Sequence, residues 1–100
     1  MRILTIAAVA LATATASTAA FATEARLSDS QFVKAARCRG LASGDLAAQL
    51  DAVIKVQKRG RADFVVDKAE SARASGARLA RTDATAAQAA LSSDCNQFGA

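Results

Sequence analysis

The N-terminal segment constrains this chain most, because it decides which residues are available to fold. Arg2 supplies a short positive start, and residues 3–16 carry no charge and consist mainly of Leu, Ile, Val, Ala and Thr. Small residues follow, and Ala20 and Ala22 form an Ala-x-Ala site of the kind that signal peptidases cut. The sequence therefore predicts a cleavable secretory signal peptide over residues 1–22.

Two other interpretations of this segment fit less well. A transmembrane anchor needs about 20 strongly apolar residues, whereas this run is shorter and is diluted by Thr and Ser. A buried amphipathic helix would place polar residues on one face, and the run contains no charged residue. We therefore expect a mature domain over residues 23–100, with no transmembrane anchor after cleavage and a periplasmic or extracellular location.

The mature chain, roughly 78 residues long, provides one small domain at most. A domain of this size buries only ~60–65% of its unfolded surface and is marginally stable without a covalent or metal constraint. The chain is alanine-rich and contains no Tyr, Trp, His or Pro. Its core must therefore depend on close helix approach through Ala and Gly rather than on bulky side chains.

Cys38 and Cys95 are the only cysteines. In an exported chain an even cysteine count predicts a disulfide, and two cysteines allow a single intrachain pairing. The bond would close a loop of roughly 60 residues, for which chain-entropy estimates give ~4 kcal/mol. An intermolecular bridge or a reactive pair is the alternative, but the spacing is not that of a Cys-x-x-Cys redox motif, and two thiols without His make a poor zinc site.

The first two helices are predicted from capping and periodicity. Ser28 and Gln31 form a capping box before a helix that runs to about Leu41. Gly44 is expected to end this helix as a left-handed cap, and Asp45 to begin the next one as its N-cap. The second helix has one apolar face with three- and four-residue spacing, formed by Leu46, Leu50, Val53, Ile54 and Gln57.

A third helix is predicted from about Ala62 to Arg81, because its acidic residues come early and its arginines late, as the helix dipole favours. Small residues in its buried stripe, Gly76 among them, allow another helix to approach closely. A short fourth helix follows, capped by Thr82 or Asp83. Whether the second and third helices are continuous through Gly60 stays open. The buried stripe of the third helix is Val65, Ala69, Ala72, Gly76 and Leu79 or Ala80.

The fold class predicted from these signals is all-α. No strand-like alternation of any length occurs in the sequence, and the connections between the predicted helices are short. We expect a small antiparallel bundle of three to four helices, closed by one disulfide between the first helix and the segment after the last.

The basic cluster Lys55, Lys58, Arg59 and Arg61 is the surface feature with the clearest functional interpretation. It could contact lipopolysaccharide phosphates, anionic lipid head groups or an acidic protein. The alternative is a solvated helix end whose late cations interact favourably with the dipole. The formal net charge, +4 for the whole chain and about +3 without Arg2, does not by itself identify a partner.

Catalysis, metal binding and nucleic-acid binding have little support in this composition. The usual general base and its orienting partner are missing, and the paired acids Asp63, Asp67 and Glu70 are more typical of dipole partners near a helix start. Metal sites are usually formed by His, Cys or clustered carboxylates. Nucleic-acid binding usually uses aromatic side chains on which bases stack, and the sequence offers no such platform. We expect no catalytic, cofactor or metal site.

The resulting functional hypothesis is a small exported helical protein, not an enzyme, that acts through contacts with an unknown protein or cell-envelope component. The alternative is a small-molecule or lipid carrier with a cavity between its helices.

Overall fold

The computed structural model describes residues 26–99. This part of the chain contains four α-helices and no strand, so the predicted helical bundle is confirmed. The predicted signal peptide lies outside the described residues, and no helix within them is long and apolar enough to cross a membrane. The helices are α1 (Asp29–Leu41), α2 (Gly44–Gln57), α3 (Asp63–Thr82) and α4 (Ala84–Asp94), followed by a 3-10 turn at Asn96–Phe98.

The most intimate contact in the bundle joins α1 and α3, which are not consecutive in the chain. Near one end, Phe32 of α1 packs with Val65 of α3 in a buried cluster. Near the other end, Gly40 of α1 lies against the backbone of α3, and Gly76 of α3 lies against the backbone of α1. Both helices therefore run in the same direction, and the absence of Cβ atoms at the two glycines permits their close approach.

Helices α2 and α4 pack on other sides of α1, so α1 is the central element. The backbone amide of Leu27 donates to Gln57 at the end of α2, while Arg39 pairs with Asp51 further back, so α2 runs antiparallel to α1. The main core combines residues from α1, α2, α4 and the C-terminal turn. Its buried members are Leu27, Ala35, Cys38, Leu41, Ala42, Ala47, Leu50, Ala87, Cys95 and Phe98.

The predicted helix caps at Ser28 and Asp83 are confirmed, and the predicted C-terminal cap at Gly44 is wrong. The Ser28 hydroxyl accepts from the Gln31 amide while the Gln31 side chain accepts from the Ser28 amide, and Asp83 caps α4. Gly44 does not end α1, because α1 stops at Leu41 and Gly44 is the first residue of α2, with φ +64°. The predicted N-cap role of Asp45 is wrong for the same reason.

A turn separates α2 from α3, so the second and third predicted helices are not continuous through Gly60. Helix α2 ends at Gln57, and α3 begins at Asp63. Gly60 lies in the turn between them with φ +76°, a backbone conformation that side chains other than glycine rarely adopt. The two helices are therefore separate, and the change of chain direction occurs at Gly60.

The predicted Cys38–Cys95 disulfide is present. Both cysteines are fully buried, and their Cα atoms lie 5.8 Å apart. The bond joins the C-terminal part of α1, three residues before Leu41, to the residue that follows α4, so it closes the bundle around its central helix. A disulfide is consistent with an oxidising, extracytoplasmic environment.

Candidate anion-binding surface and interhelical groove

Three of the four predicted basic residues lie together on the surface. Lys55 is in the last turn of α2, and Lys58 and Arg59 are the first two residues after this helix ends at Gln57. All three are exposed, and none of their side chains forms an ion pair with any described residue. Lys55, Lys58 and Arg59, called the basic patch below, therefore present three uncompensated positive charges at one end of α2.

Arg61 is not part of this patch, although it is close in sequence. Its side chain is only 3% exposed, and its guanidinium lies 4.6 Å from the centre of the Phe32 ring. Nη1 pairs with Asp29 at 2.7 Å, while Nη2 donates to the Leu27 carbonyl at 2.7 Å. The predicted four-residue cluster is therefore divided into three outward cations and one inward cation.

The inward position of Arg61 gives it a structural role that the sequence did not indicate. Its Nε donates to the main-chain carbonyl of Gln57 at 2.7 Å, and Nη2 also lies 3.1 Å from the Gln57 Oε1. That same oxygen accepts from the backbone amide of Leu27. One guanidinium thus connects the residues before α1 to the end of α2, using the planar set of donors that arginine provides.

An open groove lies between α2 and α3, on the surface of α1. It forms because both helices pack on α1 but make little contact with each other. The groove has a volume of about 110 Å³, and Lys58, Glu70 and Arg73 supply its polar rim. Its apolar lining consists of Phe32, Ala36, Ile54, Val66 and Ala69.

One end of the groove is bounded by a small charge network. Asp51 Oδ1 accepts from the Arg39 Nε at 2.8 Å and lies 3.8 Å from Arg73 Nη1. The acid therefore lies between cations from α1 and α3. All three side chains remain partly exposed, so the network contributes little to stability. It connects Arg73 on the groove rim to Asp51 of α2.

The sequence did not predict the groove, because the residues that line it belong to three different helices. The apolar periodicity of α2 and α3 predicts that Ile54 and Val66 are near a core, but not that the two walls stay apart. The observable signal was the pair Gly40 and Gly76, which brings α3 onto α1. Only Gly76 was identified as a packing glycine.

The described residues hold no group of three or more His, Cys, Asp or Glu side chains that could bind a metal ion. Ser71 and Ser75, whose hydroxyls could serve as nucleophiles, are exposed on α3 and form no hydrogen bond with a basic side chain. Within residues 26–99, the basic patch and the groove are thus the candidate sites for binding another molecule.

Comparison of the chain with protein-family models, with curated proteins and with solved structures finds no match.

Proposed function

We propose that this is an exported, non-enzymatic protein that attaches to phosphate-bearing molecules of the cell envelope through the basic patch. The observation that carries the proposal is that Lys55, Lys58 and Arg59 are exposed and have no acidic partner among the described residues. Anionic head groups attract such clusters by about 1 kcal/mol for each Lys or Arg near the surface. Three cations therefore contribute about 3 kcal/mol, or roughly 100-fold in affinity.

Export is supported by the N-terminal sequence and by the chemistry of the disulfide. The uncharged run before Ala22 has the organisation of a signal peptide. A buried bond between Cys38 and Cys95 persists in oxidising compartments and is rare where thiols are kept reduced. Such a compartment brings the protein next to envelope phosphates and away from most nucleic acid.

The size of the groove argues against the carrier alternative. Pockets for small-molecule ligands are typically about 300–1,000 Å³ and bury most of the ligand surface. The groove between α2 and α3 is open and has a volume of about 110 Å³. It accommodates one side chain rather than a lipid or a cofactor, so this groove does not support the carrier alternative.

Vesicle flotation tests this proposal with a matched pair of variants. The test variant carries Lys55→Gln, Lys58→Gln and Arg59→Gln. The control carries Lys34→Gln, Arg78→Gln and Arg81→Gln, which removes the same charge from exposed positions on α1 and α3. Each protein is mixed with vesicles of phosphatidylglycerol and phosphatidylcholine, and separately with phosphatidylcholine alone.

We expect the wild-type protein to float with the anionic vesicles only, and to dissociate as salt is raised. The test variant should lose about 100-fold in affinity, and the control variant only a few-fold. Equal losses in both variants would show that net charge alone matters and would refute the patch. Equal binding of the wild type to both vesicle types would refute recognition of phosphate-bearing lipid. Stoichiometric lipid retained in native mass spectrometry would favour the carrier instead.

A further inference from the structure

Phe64 is an exposed aromatic residue with no function in the fold. It lies in the first turn of α3 and is 70% exposed, the highest value among the large apolar side chains of the described residues. Its neighbour Val65 faces α1 and is buried. Because successive helix residues are about 100° apart, Phe64 and Val66 lie on opposite sides of Val65. Phe64 therefore points away from the groove that Val66 lines, and cannot fill it within the same molecule.

The groove has the size and lining to receive an aromatic ring. An enclosed apolar cavity of about 150 Å³ binds benzene, and the open groove of about 110 Å³ would hold a phenyl ring with part of its edge in solvent. Its lining residues Ile54 and Val66 are only partly buried without an occupant. Within residues 26–99 there is thus an unfilled apolar groove, and Phe64 is an aromatic side chain left unburied.

The charges around these two features are complementary. Phe64 is flanked by Asp63 and by Asp67, one helical turn later, and neither carboxylate has an ion-pair partner in residues 26–99. The groove rim carries the cations Lys58 and Arg73.

The rim also carries one acid, and the surface around Phe64 also carries one base. Glu70 is the single carboxylate that lines the groove. Lys68, four residues after Phe64, is the exposed cation on the Phe64 side of α3. The surface around Phe64 therefore carries a net negative charge, and the groove rim carries a net positive charge.

We propose that the chain associates with itself, with Phe64 of one copy inserted into the groove between α1, α2 and α3 of a second copy. Asp63 and Asp67 then face the Lys58 and Arg73 rim. The contact joins two different surfaces, so it closes into a dimer if a two-fold axis relates the copies and otherwise extends into a chain. Lys55 does not line the groove and stays available in every copy.

Self-association would strengthen attachment to an anionic surface. Three cations in a single copy give only weak binding, whereas linked copies each still present Lys55 and Arg59, which do not line the groove, and gain affinity by multivalency. The association itself does not depend on the proposed envelope function, because it is read in solution without vesicles.

Sedimentation velocity of the oxidised protein, from about 10 μM to 1 mM, measures the association. Phe64→Ser removes the inserted side chain, and Lys58→Glu reverses the charge at the groove rim. Both residues are exposed, so folding is retained and is checked by circular dichroism and melting temperature. Val56→Ser is the control, since Val56 is the other exposed large apolar side chain among residues 26–99 and does not line the groove.

We expect the wild type and Val56→Ser to gain mass with concentration, and Phe64→Ser and Lys58→Glu to associate at least about tenfold more weakly. A mixture of the two weakened variants should form heterodimers, because Phe64→Ser keeps an intact groove and Lys58→Glu keeps an intact Phe64. A monomeric wild type at 1 mM would overturn the proposal, as would undiminished association of Phe64→Ser. The two proposals can fail separately. If self-association is absent, the envelope proposal still holds provided that Phe64→Ser binds anionic vesicles and the Lys55→Gln, Lys58→Gln, Arg59→Gln variant does not.

Discussion

Gly40 of α1 and Gly76 of α3 lie against each other's helices with no side chain between them. A Cβ atom on Gly76 would overlap the carbonyl oxygen of Arg37 and lie 3.2 Å from the amide nitrogen of Leu41. A Cβ atom on Gly40 would overlap the carbonyl of Arg73 and lie 2.8 Å from the amide nitrogen of Ala77. This reciprocal contact holds α3 closely on α1, the helix that forms the floor of the groove.

Substitution of Gly76 by alanine should therefore destabilise the protein, although alanine favours the helix by about 1 kcal/mol. The added methyl group meets backbone, which cannot rotate away, so we expect a net loss of about 1–3 kcal/mol of unfolding free energy. Urea denaturation measures it. Ser75→Ala is the control, because Ser75 is exposed on the same helix and should change stability by no more than about 0.5 kcal/mol. A stabilised Gly76→Ala variant would contradict the close contact.

Removal of the disulfide should lower stability by about 4 kcal/mol. The double variant Cys38→Ala with Cys95→Ala tests this without leaving a free thiol. For a domain of this size we expect a drop in melting temperature of at least about 15 °C, or failure to fold at 37 °C. Thermal denaturation followed by circular dichroism gives the value, and a drop below about 5 °C would mean that packing alone maintains the bundle.

Replacement of Arg61 by lysine should be strongly destabilising despite the conserved charge. Lysine carries all its donors on one nitrogen, so it cannot bond Asp29, the Gln57 carbonyl and the Leu27 carbonyl at the separate positions that the guanidinium reaches. We expect a loss of about 2–4 kcal/mol in unfolding free energy. Arg59→Lys is the matched control, since the Arg59 side chain is exposed and pairs with no described residue. Equal stability of the two variants would disprove the structural role of Arg61.

Loss of the first helix cap should have a smaller, local effect. In Ser28→Ala the Gln31 amide loses its side-chain acceptor, and we expect about 1 kcal/mol of destabilisation. Ser43→Ala is the comparison, because Ser43 is at the N-cap of α2 and its side chain forms no capping hydrogen bond. Hydrogen exchange at the first turn of α1 distinguishes local fraying from a global loss of stability. Unchanged exchange in Ser28→Ala would show that the cap contributes nothing.

The fold followed from the sequence wherever local chemistry decides it. The capping box at Ser28, the stripe through Val65 and Gly76, and the pairing of Cys38 with Cys95 all agree with the structure. These features depend on residues within one helix or on an unambiguous pairing. The boundary at Gly44 was misplaced because a glycine with positive φ is compatible with either a helix end or a helix start.

The candidate site was less accessible from sequence for a different reason. Side chains of Lys58 and Arg61 are separated by only three positions, yet one faces solvent and the other is buried. The turn at Gly60 redirects the chain between them, and no periodicity rule extends across such a turn. The groove likewise depends on how three helices cross, which is a tertiary property.

Site-specific photo-crosslinking in the cell that produces the protein tests the central functional claim most directly. A photoreactive residue at Ala52 lies one turn before Lys55 and leaves the basic patch intact, whereas one at Ser75 lies on a different helix. We expect adducts with a phosphate-bearing envelope molecule at position 52 and none at position 75. Equal lipid adducts at both positions, or a discrete protein adduct alone at position 52, would contradict this claim.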